Sequence, residues 1–163
     1  MEYYGKAHMI QSGDAPVVNT FQAMFGTNIR SYSQGSTTIS VTDNDTLKYS
    51  YSGGSSLGTC SCYPIAIDKT KYKSVKVKVS TGASAYSTAD LYQACCGIRK
   101  GYSLNAIGKT STGWLKQAVM SELNHDYEFE IGLDDITETD IYFYICGGGW
   151  NFEVTEWGFE LNV

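Results

Sequence analysis

Proline is scarce in this chain of 163 residues, with two against 17 glycines. Turns are therefore left mainly to Gly, Asn, Asp and Ser. Long apolar runs are missing too: nowhere do about 18 apolar residues follow one another, as a bilayer crossing requires. The opening Met1-Glu2-Tyr3-Tyr4-Gly5-Lys6 places no basic stretch ahead of an apolar one. Neither a signal peptide nor membrane insertion is expected. Basic residues are outnumbered 12 to 17, for a formal charge of −5. A field of that sign repels a phosphate backbone, so nucleic acid is not an expected partner.

Motifs for metal binding and catalysis are equally lacking. Five cysteines are an odd number, which leaves at least one unpaired within a monomer. Cys60 and Cys62 are too close for an ordinary bridge to each other, and Cys95 and Cys96 are adjacent. Reduced thiols packed in the sheets are the expectation. No Cys-x-x-Cys spacing occurs, and the two histidines, His8 and His125, stand far from the cysteines, which argues against zinc. There is no G-x-S-x-G elbow, H-E-x-x-H helix or P-loop. His125 precedes Asp126, but neighbours in an extended chain point apart, so the pair is no base and orienter. A glycosidase needs two carboxylates brought together across a cleft, and no spacing singles out such a pair. No catalytic residue is nominated, and the chain is not expected to be an enzyme.

What is plentiful is aromatic: thirteen Tyr, six Phe and three Trp. Their spacing has a period of two, which a strand satisfies and a helix does not. Over 37–52, Ile39 and Val41 alternate with polar residues, Asp43-Asn44-Asp45 supplies a turn, and Leu47, Tyr49 and Tyr51 alternate again. That is a hairpin. Val75, Val77 and Val79 alternate with Lys76, Lys78 and Ser80, as Tyr127, Phe129 and Ile131 do with Glu128 and Glu130. If these strands are neighbours, Lys76 and Lys78 face Glu128 and Glu130, each pair contributing about 0.2–1 kcal/mol. Segments 89–99 and 102–109 read as a strand pair around Gly101, and 114–120 as a further strand. Toward the end, Trp150, Phe152 and Val154 share one face, and Trp157, Phe159 and Leu161 resume it after a slip at Thr155-Glu156, the mark of a β-bulge. About nine short strands without an amphipathic helix predict an all-β, two-sheet antiparallel β-sandwich of jelly-roll type. Residues 1–18 lack periodicity and read as an N-terminal arm; 19–163 reads as a single domain.

Two groups of residues stand out as candidate sites. Rings off the core phase, or on loops, can stack on the apolar face of a sugar while polar neighbours bond its hydroxyls. Trp114 follows Ser111-Thr112-Gly113 and Trp150 follows three glycines, while Tyr92 and Tyr102 share the outer phase with Tyr142 and Tyr144. Trp114, Trp150, Tyr92 and Tyr102 are the candidate glycan-binding residues. Asp43 and Asp45 are candidate ligands of a structural calcium, although the ion wants six to eight oxygens and a hairpin turn explains the same residues.

The passage from Ile65-Ala66-Ile67-Asp68-Lys69-Thr70 through Tyr72 to Val75-Lys76-Val77-Lys78-Val79 resembles the strand, Asp, turn, Tyr, strand run of carbohydrate-binding-module-like jelly rolls. So do Ile141-Tyr142-Phe143-Tyr144-Ile145 and the closing Phe152-Glu153-Val154-Thr155-Glu156-Trp157-Gly158-Phe159. Such domains occur in phage tail and receptor-binding proteins and in bacterial surface proteins. The resemblance implies a module that binds polysaccharide or host cell-surface glycan, on a phage virion or else extracellularly on a bacterial surface. The alternative it leaves is a decoration or tail component with no sugar binding, assembling with itself or with other virion proteins.

Overall fold

Each periodic segment becomes a strand because one face of it must be buried while the other stays polar. The computed structural model describes residues 8–9, 17–18, 21, 31–34, 37–51, 59–62, 64–84, 94–103, 107–148 and 150–162. The strands among them are β1 (His8–Met9), β2 (Val17–Val18), β3 (Ser31–Gln34), β4 (Thr37–Val41), β5 (Leu47–Tyr51), β6 (Thr59–Cys62), β7 (Ile65–Ile67), β8 (Tyr72–Ser84), β9 (Cys95–Lys100), β10 (Trp114–Val119), β11 (Asp126–Gly132), β12 (Ile141–Gly148) and β13 (Trp150–Leu161). A first sheet runs β11-β8-β13-β5-β4, and a second runs β10-β9-β12-β6-β3 with β7 also on β12. β1 and β2 pair with each other within the first 18 residues.

The pairings are nested. β9 pairs β10, β8 pairs β11, β6 and β7 pair β12, and β5 pairs β13, all antiparallel. Successive pairs fall alternately in the second and the first sheet, so one long folded-over ribbon wraps around a single core. That is the jelly-roll order.

The core lies between the sheets. Val75, Val77 and Val79 of β8 with Val154, Trp157 and Phe159 of β13 meet Ile98 of β9 and Ile141, Phe143 and Ile145 of β12. Trp157 links the layers, stacked on Phe143 of the second sheet at 5.9 Å and edge-on to Phe159 of its own at 5.2 Å. The register of β13 on β8 shifts between Val154 and Glu156, the bulge expected from the slip in apolar phase. Without it Trp157 and Phe159 would point to solvent.

One expected strand, 102–109, is absent among the described residues. The pair of β9 is β10, and the described residues of 101–113 form a loop. Gly101 and Gly113 both have positive φ, 73° and 91°, a backbone that turns the chain out of the ladder at each end. Ile107, between them, is buried on the outer side of the second sheet.

On the outer face of the first sheet, Lys78 lies opposite Glu128 and Lys76 opposite Glu130, as the charge pattern implied. The ion pairs nevertheless run to β13: Lys78 to Glu156 at 2.9 Å, and Lys73 and Lys76 to Glu160 at 3.1 Å each. The hydrogen bond from Lys76, seconded by Lys73, holds the Glu160 carboxyl at about 2, against an ordinary 4.5. A carboxyl that binds its proton less readily when folded contributes stability that is whole above about pH 4.5 and drains away as pH falls toward about 2. Urea midpoints of the native chain are therefore expected to drop across that window more steeply than those of Glu160→Gln. Parallel curves would show that the pair contributes nothing.

Candidate functional site

The neighbouring strands β9 and β12 are largely buried on both faces, which explains the nearly continuous run Ile141-Tyr142-Phe143-Tyr144-Ile145-Cys146 in β12. Register places Tyr142 opposite Arg99, Tyr144 opposite Gly97 and Cys146 opposite Cys95. Directly opposed residues share a face. Ile141, Phe143 and Ile145 enter the main core, while Tyr144, Cys146, Cys95 and Ile107 form a separate buried cluster on the outer side, with Trp114 and Tyr142 packed against it. The thiols of Cys95 and Cys96 are free and buried, and that of Cys146 is buried; burial pushes that of Cys96 far up, so it stays protonated and inert.

The loop over this face is held by the aromatic side chains beneath it. Tyr144 donates its phenol to the Gly101 carbonyl at 3.2 Å and accepts from the Ser103 amide at 2.9 Å. Burial raises the pKa of that phenol, which keeps it the donor. Trp114 donates its indole N–H to the Gly108 carbonyl at 3.1 Å, and Gln117 reaches the Lys109 carbonyl at 2.9 Å. A Cβ on Gly97 would lie 3.0 Å from Trp114 Cε3, so the bare glycine is what lets the indole settle on the sheet.

At the open end of the face, one row of side chains crosses four strands: Trp114 of β10, Arg99 of β9, Tyr142 of β12 and Ala66 of β7. At about 4.8 Å per strand the row spans roughly 14 Å, the length of a short oligosaccharide. Trp114, Arg99 and Tyr142 are half-buried and Ala66 is exposed. Tyr102 stands over the row, 49 % exposed, with its ring edge-on to Tyr142 at 5.8 Å. The Arg99 guanidinium carbon is 5.1 Å from the Trp114 ring centre and 5.9 Å from that of Tyr144.

Two of the four rings nominated from sequence thus come together here. Tyr102 is an open ring at the surface. Trp114 is half-buried with its N–H engaged, so it anchors the loop as well as flanking the row. Trp150 opens β13, but its side chain lies outside the described residues, as does all of Tyr92. Sequence reasoning placed Tyr142 on the outer phase without nominating it and passed over Arg99; the signal was in the alternation, which sets Cys95, Gly97 and Arg99 on the face opposite Cys96 and Ile98.

Asp43 and Asp45 lie in the β4–β5 turn, where Asp45 has a φ of 55° and its amide donates to the Thr42 carbonyl at 2.9 Å. Thr42 and Thr46 share a hydroxyl bond of 2.7 Å. Among the described residues no three His, Cys, Asp or Glu gather as a metal site. Two carboxylates fall well short of calcium's oxygen count.

The outer face of the first sheet carries two adjoining clefts, of about 350 and 310 Å³, which share Ser80 and Thr155. Their walls are charged: Lys48 and Glu153 of the larger cleft pair with each other, and Lys78 of the smaller pairs with Glu156. Tyr127, which lines the smaller cleft, stacks on Phe129 at 5.2 Å and spends its phenol oxygen on the Ser121 and Glu122 amides. Open aromatic surface is found on the second sheet.

No protein-family model matches this chain, and no curated protein is similar to it in sequence. Among solved structures it is similar to a family 6 carbohydrate-binding module whose binding sub-sites were dissected by crystallography and calorimetry. That likeness covers 80% of this chain and 87% of the other, at 13% identity and a TM-score of 0.43. The jelly-roll order of the chain rests on its own nested strand pairs.

Proposed function

We propose that this chain is a non-catalytic module that binds polysaccharide on the outer face of its second sheet. The observation that carries the reading is the Tyr102–Tyr142 pair, one ring open at the surface and the other set in a cross-strand row with Arg99 and Trp114. Flat rings at that spacing offer stacking surfaces to successive sugar faces, and the loop 101–113 supplies polar groups at their edge. The same reading sets the module on a phage virion or a bacterial surface. The free, buried thiols of Cys95 and Cys96 favour a chain folded in a reducing compartment, as a virion protein made in a bacterial cytoplasm would be.

The test is a titration of bacterial and plant polysaccharides against the native chain, Tyr102→Ala and Tyr142→Ala. Each variant is expected to bind about tenfold more weakly, the worth of one stacking contact of roughly 1.4 kcal/mol. Tyr102→Ala is expected to leave the melting temperature within about 0.5 kcal/mol equivalent of the native value, because its ring is exposed. Binding that survives both substitutions would move the site elsewhere on the molecule, and no binding to any polysaccharide would overturn the reading. A chelator is expected to change nothing; if it abolished binding, Asp43 and Asp45 would return as cation ligands.

A further inference from the structure

Arg99 is the one member of the row whose chemistry stacking does not use. Its guanidinium lies against both the Trp114 and the Tyr144 ring, which themselves meet edge-on at 6.2 Å; among the described residues its buried Nη1 has no hydrogen-bond acceptor and no carboxylate pairs with it. The rings attract the cation but accept none of its N–H bonds in the plane of the guanidinium. Buried polar groups are ordinarily satisfied, and a charged donor left without an acceptor is costly. The site is also shaped around this group: a Cβ at Gly113 would come within 3.2 Å of Nη2, so a side chain there would crowd the guanidinium. In a chain of net charge −5 an acidic neighbour would have been easy to supply, and its absence among the described residues leaves the exposed donors of this cation to an acceptor that arrives with the ligand.

We propose that the saccharide recognised here is anionic, and that Arg99 receives its carboxylate or sulfate while Tyr102 and Tyr142 take the sugar faces. The inference rests on the polysaccharide-binding reading and adds to it the charge of the ligand. A guanidinium held against two rings has its donors already oriented, so a planar carboxylate can engage it with little further ordering of the protein. The partly exposed remainder of the side chain is the point of approach, beside Tyr142 in the row.

The experiment is calorimetric titration with polygalacturonate and alginate, with the same polymers after reduction of their carboxyls to alcohols, and with dextran sulfate against dextran. The acidic form is expected to bind about tenfold or more tightly than its neutral counterpart. The carboxylate and sulfate pairs separate the two anion sources. Arg99→Met, which keeps an unbranched apolar stem against the rings, is expected to erase the difference. Equal affinity for the acidic and neutral members of every pair overturns the inference while leaving the polysaccharide reading intact, and so does a preference that persists in Arg99→Met. Binding to none of these or any neutral polymer overturns both. The comparison of acidic with reduced polymer uses the native chain alone, so it decides the matter even if the variant does not fold.

Discussion

Gly97→Val is expected to destabilise the protein by about 3 kcal/mol, the top of the usual range for over-packing, and to abolish polysaccharide binding with it. Gly97 faces outward opposite Tyr144. A Cβ there runs into the Lys116 carbonyl oxygen and comes within 3.0 Å of both Gln117 Cα and Trp114 Cε3. Two of those three obstacles are backbone, so no rotamer change relieves the clash. β10 would have to move away from β9, where its register already shifts between Trp114 and Lys116. That movement lifts Trp114 from Arg99 and pulls its indole N–H from the Gly108 carbonyl. The row and the loop are lost together. Denaturant midpoints and a polysaccharide titration on the same preparation check this, and unchanged stability would mean that β10 does not close over Gly97 as described.

Trp157→Ala is expected to cost about 3–5 kcal/mol, a large part of the roughly 5–15 kcal/mol that holds a domain together. The side chain is 2 % exposed and touches Phe143 of one sheet and Phe159 of the other, so its removal opens a cavity that neither layer can collapse to fill. Its indole N–H is buried with no acceptor among the described residues. Trp157→Phe removes that unsatisfied donor along with part of the volume. Relief of a penalty of about 1–3 kcal/mol offsets some of the lost packing, and this variant is expected to lose less than half as much as the alanine. Urea titrations of the three proteins give the comparison; equal losses in both variants would show that the indole N–H finds a partner.

The strands that were plain in the sequence are those with one wet and one dry face. Val75-Lys76-Val77-Lys78 and Phe129-Glu130-Ile131 alternate so cleanly that both strands follow from the pattern, and, once the two are neighbours, so does the facing of Lys76 with Glu130. The segment 102–109 misled for the same reason. Tyr102, Leu104 and Ile107 supply apolar residues at a spacing close to that of a strand, yet Ile107 is buried by lying over a sheet and not within one. Only the positive φ of Gly101 and Gly113 distinguishes the two, and glycine's freedom in a sequence does not say which conformation the chain adopts.

By itself the sequence determined the class of the fold, the two-sheet arrangement, the bulge in β13 and the absence of a catalytic motif, because each follows from residue type and period within one segment. It also determined that Tyr142 and Tyr144 stand on the face opposite Phe143. The tertiary structure decided which partner each strand takes, and with it the site. Arg99, Tyr142 and Trp114 are distant along the chain and become one row only through the register of β10, β9 and β12. Whether a ring off the core phase is open like Tyr102 or sealed like Tyr144 depends on where the loop 101–113 crosses. Its described residues are held by hydrogen bonds from Trp114, Tyr144 and Gln117 to carbonyls. Every residue carries a carbonyl, so composition does not mark which ones are bonded; only the folded backbone brings them within reach.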